Sequence, residues 1–278
     1  MKRILCLFVC LLPAPAQRTV APTAESVGRA RGEDFLNYNL VQSYELGVRF
    51  HGVGGNENKY RSDVNYGNGV RLLSSRFSMN SKDGRAAFLD ELTIWTQGLG
   101  NDPYQSAGLR AQRNGLWRYD LQWRSTAYFN PALAIADGQH GIDTTRRWQD
   151  HDLTLLPQSR VKFFLGYSRN SQEGPALSTT NLFDSRDDEF PLMADVDRRQ
   201  REFRVGNEFR LFGVKFHWMR SWERYEERSA LGIAGVQMGN NTADRSSLTS
   251  FSRTEPYRGN TPGSVSYTHL TLPTKRIV

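Results

Sequence analysis

The sequence contains one local cluster of acid–base side chains, Asp150-His151-Asp152. A carboxylate that orients a histidine is the arrangement with which hydrolases activate a nucleophile. Because this segment alternates like a β-strand, His151 is predicted to point away from both carboxylates, which therefore cannot orient it. His140 stands alone in a loop, and the motifs G-x-S-x-G, H-E-x-x-H and C-x-x-C-H are absent from the sequence. We predict no catalytic residue, no cofactor-binding residue and no enzyme.

Acidic side chains are concentrated between residues 181 and 198. They are Asp184, Asp187, Asp188, Glu189, Asp195 and Asp197. Carboxylate oxygens suit Ca²⁺, but the segment lacks the spacing of an EF-hand, and arginines are interspersed. A calcium site and a solvated external loop are both open interpretations. The composition favours the loop, so no metal ligand is predicted.

The N-terminus has the pattern of a secretory signal peptide over residues 1–16. Lys2 and Arg3 form the basic region, Ile4–Leu12 the apolar region and Ala14–Ala16 the cleavage pattern, which places the mature N-terminus near Gln17. The apolar run is shorter than the roughly 20 residues of a membrane-spanning helix. We therefore expect export followed by cleavage.

Both cysteines, Cys6 and Cys10, lie within this signal. Lipidation of Cys10 is an alternative, although Val9 is a poor residue before a lipidated cysteine. Cleavage after residue 16 predicts a mature chain without cysteine. Such a chain has no disulfide, thiol nucleophile or cysteine-ligated metal.

The C-terminal segment Val265–Thr274 resembles one reading frame of a transposase adapter used to prepare DNA libraries. We expect the natural reading frame to run to about Gly263 or Ser264 and the residues from 265 to 278 to be adapter-derived, which makes the chain a C-terminally truncated fragment. A genuine polar tail is the alternative.

The formal net charge of +7 overstates how basic the folded part is. Four of the basic residues lie in the two terminal segments, which contain no acid, so the remainder carries +3. These four residues are Lys2, Arg3, Lys275 and Arg276. A mild excess of this size does not indicate a nucleic-acid partner.

A two-faced β-pattern recurs along most of the chain. In Trp117–Arg124 one set of alternate residues is aromatic or apolar and the other is polar, as in a strand with one apolar face. Residues 17–37 lack any period and are predicted to form a flexible periplasmic lead, and residues 227–264 an external loop. The nine predicted strands span residues 38–51, 70–80, 86–97, 104–112, 116–128, 147–156, 160–170, 199–211 and 214–226.

The links between these strands are predicted to alternate between short and long. The short ones are Ser81–Gly84, Arg113–Gly115, Pro157–Ser159 and Phe212–Gly213, and the long ones are Gly52–Gly69, Gly98–Pro103, Phe129–Arg146, Ser171–Arg198 and the segment from Arg228. Short periplasmic turns and long external loops are typical of outer-membrane barrels. The sequence therefore predicts an all-β, transmembrane, antiparallel up-and-down β-barrel, C-terminally truncated, in the outer membrane of a Gram-negative-type bacterium. A soluble β-sandwich, with the aromatic residues in its core, is the alternative.

The barrel interpretation assigns the two faces. Apolar residues predicted to face lipid are Trp117, Tyr119, Trp123, Phe203, Phe209 and Trp218, and candidates for the interfacial aromatic girdles are Trp117, Trp123, Trp218, Tyr119, Tyr128 and Tyr167. Polar residues predicted to line the lumen are Arg118, Asp120, Arg124, Glu202, Arg204, Glu208 and Arg210. Two uses of the charged residues are open, namely cross-strand ion pairs and ion selectivity, and the mixed signs favour ion pairs.

Three segments carry a family resemblance: Asn114–Asp120, Arg146–Leu155 and Lys162–Asn170. With the strand texture from about residue 38 to 226, they resemble the outer-membrane β-barrels associated with decahaem cytochromes. Some members of that family carry an N-terminal Cys-x-x-Cys pair, which the predicted mature chain lacks. No functional residue can be carried over by position.

The resemblance implies a scaffold or sheath around a periplasmic multihaem cytochrome, which together conduct electrons across the membrane. The barrel itself would bind no haem or other cofactor, and its partners would be outer-membrane lipid and that cytochrome. A general porin or substrate channel is the alternative function. A secreted, carbohydrate-binding β-sandwich is a third.

Overall fold

The computed structural model describes residues 32–131, 140–181, 188–211, 214–233, 235–243, 246–254 and 256–270. The predicted signal peptide, most of the predicted lead, Asp184, Asp187, the turn Phe212–Gly213 and residues 271–278 lie outside these ranges. No helix in the described ranges has the length and apolar character needed to cross a membrane.

The described chain is all-β, with one short helix, α1, at Glu57–Asp63. Its strands are β1 (Glu33–Phe35), β2 (Tyr38–Arg49), β3 (Gly69–Ser81), β4 (Glu91–Leu99), β5 (Tyr104–Arg113), β6 (Trp117–Asn130), β7 (Ile142–Leu155), β8 (Val161–Asn181), β9 (Glu189–Leu211), β10 (Val214–Glu227), β11 (Ala230–Gly232), β12 (Gln237–Met238), β13 (Ser247–Leu248), β14 (Ser252–Thr254) and β15 (Tyr257–Leu270).

The main sheet is an antiparallel meander. Strands β1 to β10 pair in sequence order, and β15 pairs with β10. Strand β11 pairs with β9 and β14, and β12 with β13 forms a separate hairpin. In the described ranges β1 and β15 are the ends of this order, and no ladder joins them.

Each of the nine predicted strands overlaps one of β2–β10, but β8 and β9 are much longer than predicted. Residues 171–181 and 189–198, expected in a long loop, continue the ladder from Ser171↔Arg199 to Asn181↔Glu189. In 171–181 polar side chains occupy both faces, so the apolar–polar alternation that marks a half-buried strand is lost. In 189–196 the apolar residues fall on the opposite set of alternate positions from Phe203 and Val205, so the segment does not continue the pattern predicted for 199–211. These residues are Phe190, Leu192, Ala194 and Val196. Backbone hydrogen bonding continues because it does not depend on side-chain polarity.

The predicted strict alternation of short and long links is wrong at two places. The β3–β4 link spans residues 82–90, whereas the β4–β5 link needs only residues 100–103. The first is longer because the amide of Ala86 donates to the Asp90 carboxylate, which folds residues 86–90 out of the sheet. The second is shorter because Gly98 and Gly100 have φ of +68° and +116°, which allows a tight reversal.

Both ends of the described chain contain more strand than predicted. Glu33–Phe35, expected in the flexible lead, pairs with β2. The expected external loop 227–264 contains β11–β14 and the first residues of β15, which begins opposite Glu227. Further along the same ladder, Val265 lies opposite Met219. Because backbone pairing tolerates most side chains, the ladder of β10 with β15 extends into residues 265–270 of the adapter-like segment. The adapter interpretation itself stays a prediction.

Few apolar side chains are buried in the described sheet. Phe190 and Leu192 of β9 are fully or almost fully buried near the β12–β13 hairpin. Asp188, predicted to lie in a solvated loop, is fully buried and accepts the amides of Asn241 and Ser246, both at 2.6 Å. Its carboxylate holds this hairpin because two backbone donors replace its hydration.

Candidate functional site: the charged face of the sheet

The strand register brings the predicted polar residues of β6 and β9 onto one face, called here the charged face. Asp120 lies opposite Asp152, Asp152 opposite Gly166, and Gly166 opposite Arg204. Side chains of directly opposed residues project to the same side of a sheet. The set on this face is Arg118, Asp120 and Arg124 of β6 with Glu202, Arg204, Glu208 and Arg210 of β9.

Asp120 is held between two arginines. Arg110 Nε of β5 and Arg118 Nε of β6 each donate to its carboxylate at 2.7 Å. One acid between two cations leaves a local positive excess. Because all three side chains stay partly exposed, each pair contributes about 0–1 kcal/mol to stability.

Arg204 reaches across an entire strand. Its Nη2 lies 3.1 Å from Asp152 Oδ1 on β7, and its Nη1 lies 3.1 Å from Glu202 Oε2 on its own strand. The intervening residue of β8 is Gly166, where an added Cβ would lie 2.6 Å from Arg204 Nε. The missing side chain is therefore what opens the path between β9 and β7.

Glu208 is the most deeply buried acid of the seven predicted lumen residues. Lys215 Nζ lies at 2.9 Å and Lys162 Nζ at 3.4 Å from its oxygens, one lysine from each neighbouring strand. Arg210 Nη2 lies at 3.6 Å. Glu208 is 5% exposed, so removing these cations would leave an unpaired buried charge.

A second polar cluster lies nearer the long links on the same face and was missed by the sequence reasoning. Arg124, the last predicted lumen residue, donates to Gln122 at 2.8 Å and so makes no ion pair in the described chain. Arg124 lies directly opposite Trp148 of β7. The same cross-strand row continues on β8, β9 and β10 through Asn170, Gln200 and Tyr225. A cavity of about 290 Å³ opens there, lined by Arg146, Asn170, Gln172, Arg198, Arg199, Gln200 and Tyr225.

The opposite side is called here the aromatic face. The six predicted lipid-facing residues lie on it, through opposed pairs such as Trp117↔Leu155 and Tyr167↔Phe203. Tyr128, another girdle candidate, does not share this face, because the unbroken ladder of β6 with β7 gives it the same side as Arg124. Side chains alternate along β6, so Tyr128 projects to the opposite side from Tyr119 and Trp123.

His151 lies on the aromatic face, away from Asp150 and Asp152, as its position in a strand predicted. Its Nδ1 hydrogen-bonds the hydroxyl of Tyr119 at 2.7 Å. His140 Nε2 lies 3.0 Å from the Thr179 hydroxyl. Among the described residues no group of three or more His, Cys, Asp or Glu side chains is arranged to hold a metal ion.

A third cluster, at the end of the long links, brings together residues distant in sequence. Asp102 lies 2.7 Å from Arg49 Nη1 and also pairs with Arg71. Helix α1 is N-capped by Asn56, whose side chain accepts a hydrogen bond from the amide of Lys59. The guanidinium of Arg61 in this helix binds Asp143 at 2.9 Å and lies over the ring of Phe129.

Comparison with protein-family models, with curated proteins and with solved structures finds no match to this chain. The functional interpretation therefore depends on the chemistry of the two sheet faces.

Proposed function

We propose that this chain forms the wall of an outer-membrane β-barrel, with the aromatic face toward lipid and the charged face toward the interior. The main support is the exposure of large apolar side chains: Phe203 is 50% exposed, Phe163 44% and Trp222 43%. They lie together on adjacent strands, and no described element covers them. A water-soluble monomer rarely leaves so extended an apolar surface uncovered. A bilayer solvates it.

Strand length agrees with this proposal. Strand β10 has 14 residues, and a tilted transmembrane strand needs about 9–11. Along its first nine residues the outward positions are Val214, Phe216, Trp218, Arg220 and Trp222, and Arg224 and Glu226 follow beyond them. The exception, Arg220, lies 5.3 Å from the ring centroid of Trp222, so its long side chain runs along an aromatic surface with its charged end free to reach water or headgroups.

For the activity, we propose a scaffold or sheath around a periplasmic multihaem cytochrome. The charged face pairs most of its own charges, as at Asp120 and Glu208. Such a wall lacks the uniform sign of charge with which a selective pore concentrates ions. It suits the enclosure of a polar protein surface, in line with the family resemblance, and the wall itself would bind no haem.

A general porin or substrate channel is the second candidate, favoured by the polar cavity on the charged face. Besides three arginines, its lining contains the aromatic ring of Tyr225 and the amides of Asn170 and Gln200, which offer stacking and hydrogen bonds together. Neutral polar solutes such as sugars use both types of contact. This candidate predicts an open interior through which solutes pass.

Insertion into membranes tests the assignment of the faces. Leu165→Arg puts a cation on the aromatic face and should weaken insertion into phosphatidylcholine vesicles by about 2–4 kcal/mol. Ser168→Arg, the matched change on the charged face, should insert like the parent chain. Protection from protease in sealed vesicles measures both. Equal insertion by both variants, or a parent chain that stays in the aqueous phase without detergent, would favour a soluble β-sandwich and refute the proposal.

Conductance and cytochrome binding separate the two activities. A sheath should retain a multihaem cytochrome during purification, visible as haem absorbance, and should conduct few ions through planar bilayers when that partner is bound. A channel should conduct without any partner and retain no haem. High conductance with no retained haem would overturn the sheath.

A further inference from the structure

The aromatic face changes character abruptly toward the long links. Tyr167, Phe203 and Trp222 lie directly opposite one another on β8, β9 and β10. Two residues further along the same strands, the row consists of Arg169, Arg201 and Arg224, again directly opposed. An aromatic row is thus followed immediately by a row made only of arginine on these three strands.

Two of the three arginines in this row are not neutralised within the described chain. Arg169 and Arg201 make no ion pair and no side-chain hydrogen bond there, although Arg224 contacts Glu226 at 2.5 Å. Like charges directly opposite each other destabilise a sheet. On the charged face the same sheet places carboxylates between its cations, as at Asp120. The arginine row therefore calls for an anion from outside the chain.

A cavity of about 200 Å³ lies at one end of this row. It is lined by Arg147, Gln149, Arg169, Ser171 and Glu173. Arg147 is only loosely paired with Glu173, at 3.5 Å, so its guanidinium retains free donors. The Glu173 carboxylate also lines the cavity, but its charge is shared with Arg199, at 3.7 Å. The remaining lining groups are two guanidinium groups, an amide and a hydroxyl, which form a donor set suited to a phosphoryl group.

We propose that the arginine row and this cavity bind the phosphoryl groups of anionic outer-leaflet glycolipid. The inference rests on the proposed membrane-barrel function, which puts the aromatic row at the membrane–water interface. The arginines then lie two residues further along each strand than this aromatic row, at the level of the lipid headgroups. Lipid phosphates supply the negative charge that the sheet does not provide to Arg169 and Arg201.

The test uses the full chain folded into phosphatidylcholine vesicles with or without lipid A, a glycolipid with phosphates on its headgroup. The variant Arg169→Gln/Arg201→Gln removes two cations from the row. Each basic residue near an anionic surface contributes about fivefold to binding, so affinity for lipid A should fall about thirtyfold. Arg85→Gln/Arg160→Gln removes the same charge at the short-turn end and should bind like the parent. Retained lipid A is measured by native mass spectrometry.

Insertion into pure phosphatidylcholine vesicles separates the two proposals. If neither parent nor variant inserts, the membrane-barrel function fails, and this inference fails with it. If both insert equally and retain lipid A equally, only the lipid site is refuted. If millimolar inorganic phosphate displaces lipid A from the parent chain, the site recognises free phosphate, which also overturns the lipid proposal.

Discussion

Asp90 offers the sharpest test of how the short-turn end is assembled. Its side chain is buried, with Oδ1 accepting the Ala86 amide at 2.8 Å and Oδ2 the Asn114 amide at 2.7 Å. A buried donor left unpaired costs about 1–3 kcal/mol. Asp90→Ala orphans both amides and should lower the free energy of unfolding by about 2–6 kcal/mol. Asp90→Asn keeps one acceptor oxygen and should lose about half as much.

Urea unfolding of the chain in lipid vesicles, followed by tryptophan fluorescence, measures these free energies. Asp63→Ala is the matched control, because Asp63 is an exposed acid in α1 whose solvent-screened pair with Lys59 contributes little to stability. The reasoning is refuted if the alanine variant unfolds like the control. It is also refuted if asparagine is as destabilising as alanine, since one retained hydrogen bond would then have no value.

Three further predictions address other clusters. Gly166→Val should displace the Arg204 guanidinium from Asp152, seen as loss of that contact in a crystal structure while the strands stay paired. Hydrogen bonding from Ser81 lowers the pKa of Asp83 from its usual 3.8 to about 2. The ionised Asp83 therefore stabilises the fold fully above pH 4, and this stabilisation is lost as the pH falls through 2. Ser81→Ala should raise the pKa of Asp83 in an NMR titration. Asp102→Asn leaves two half-buried arginines without their carboxylate and should cost about 1–3 kcal/mol in urea unfolding.

The sequence by itself determined that the chain is a two-faced antiparallel sheet. In Trp117–Arg124 the period of two is enough to assign every side chain to a face, because strand geometry allows no other alternation. It also located the tight turn at Asn114-Gly115, where Gly115 has φ of +75°. In 171–181 polar residues occupied both faces, and in 189–196 the apolar residues switched to the other set of alternate positions, so this signal failed and both strand extensions were missed.

Only the tertiary structure decided which charges meet. Register places Arg204 beside Gly166, and therefore within reach of Asp152, a residue 52 positions away. The triad of Asp102 with two arginines, the burial of Asp188 and the row through Arg169 and Arg201 likewise depend on which strands become neighbours. Local periodicity determines the side of a sheet on which a side chain lies. Its partners depend on long-range backbone pairing, which adjacent residues do not encode.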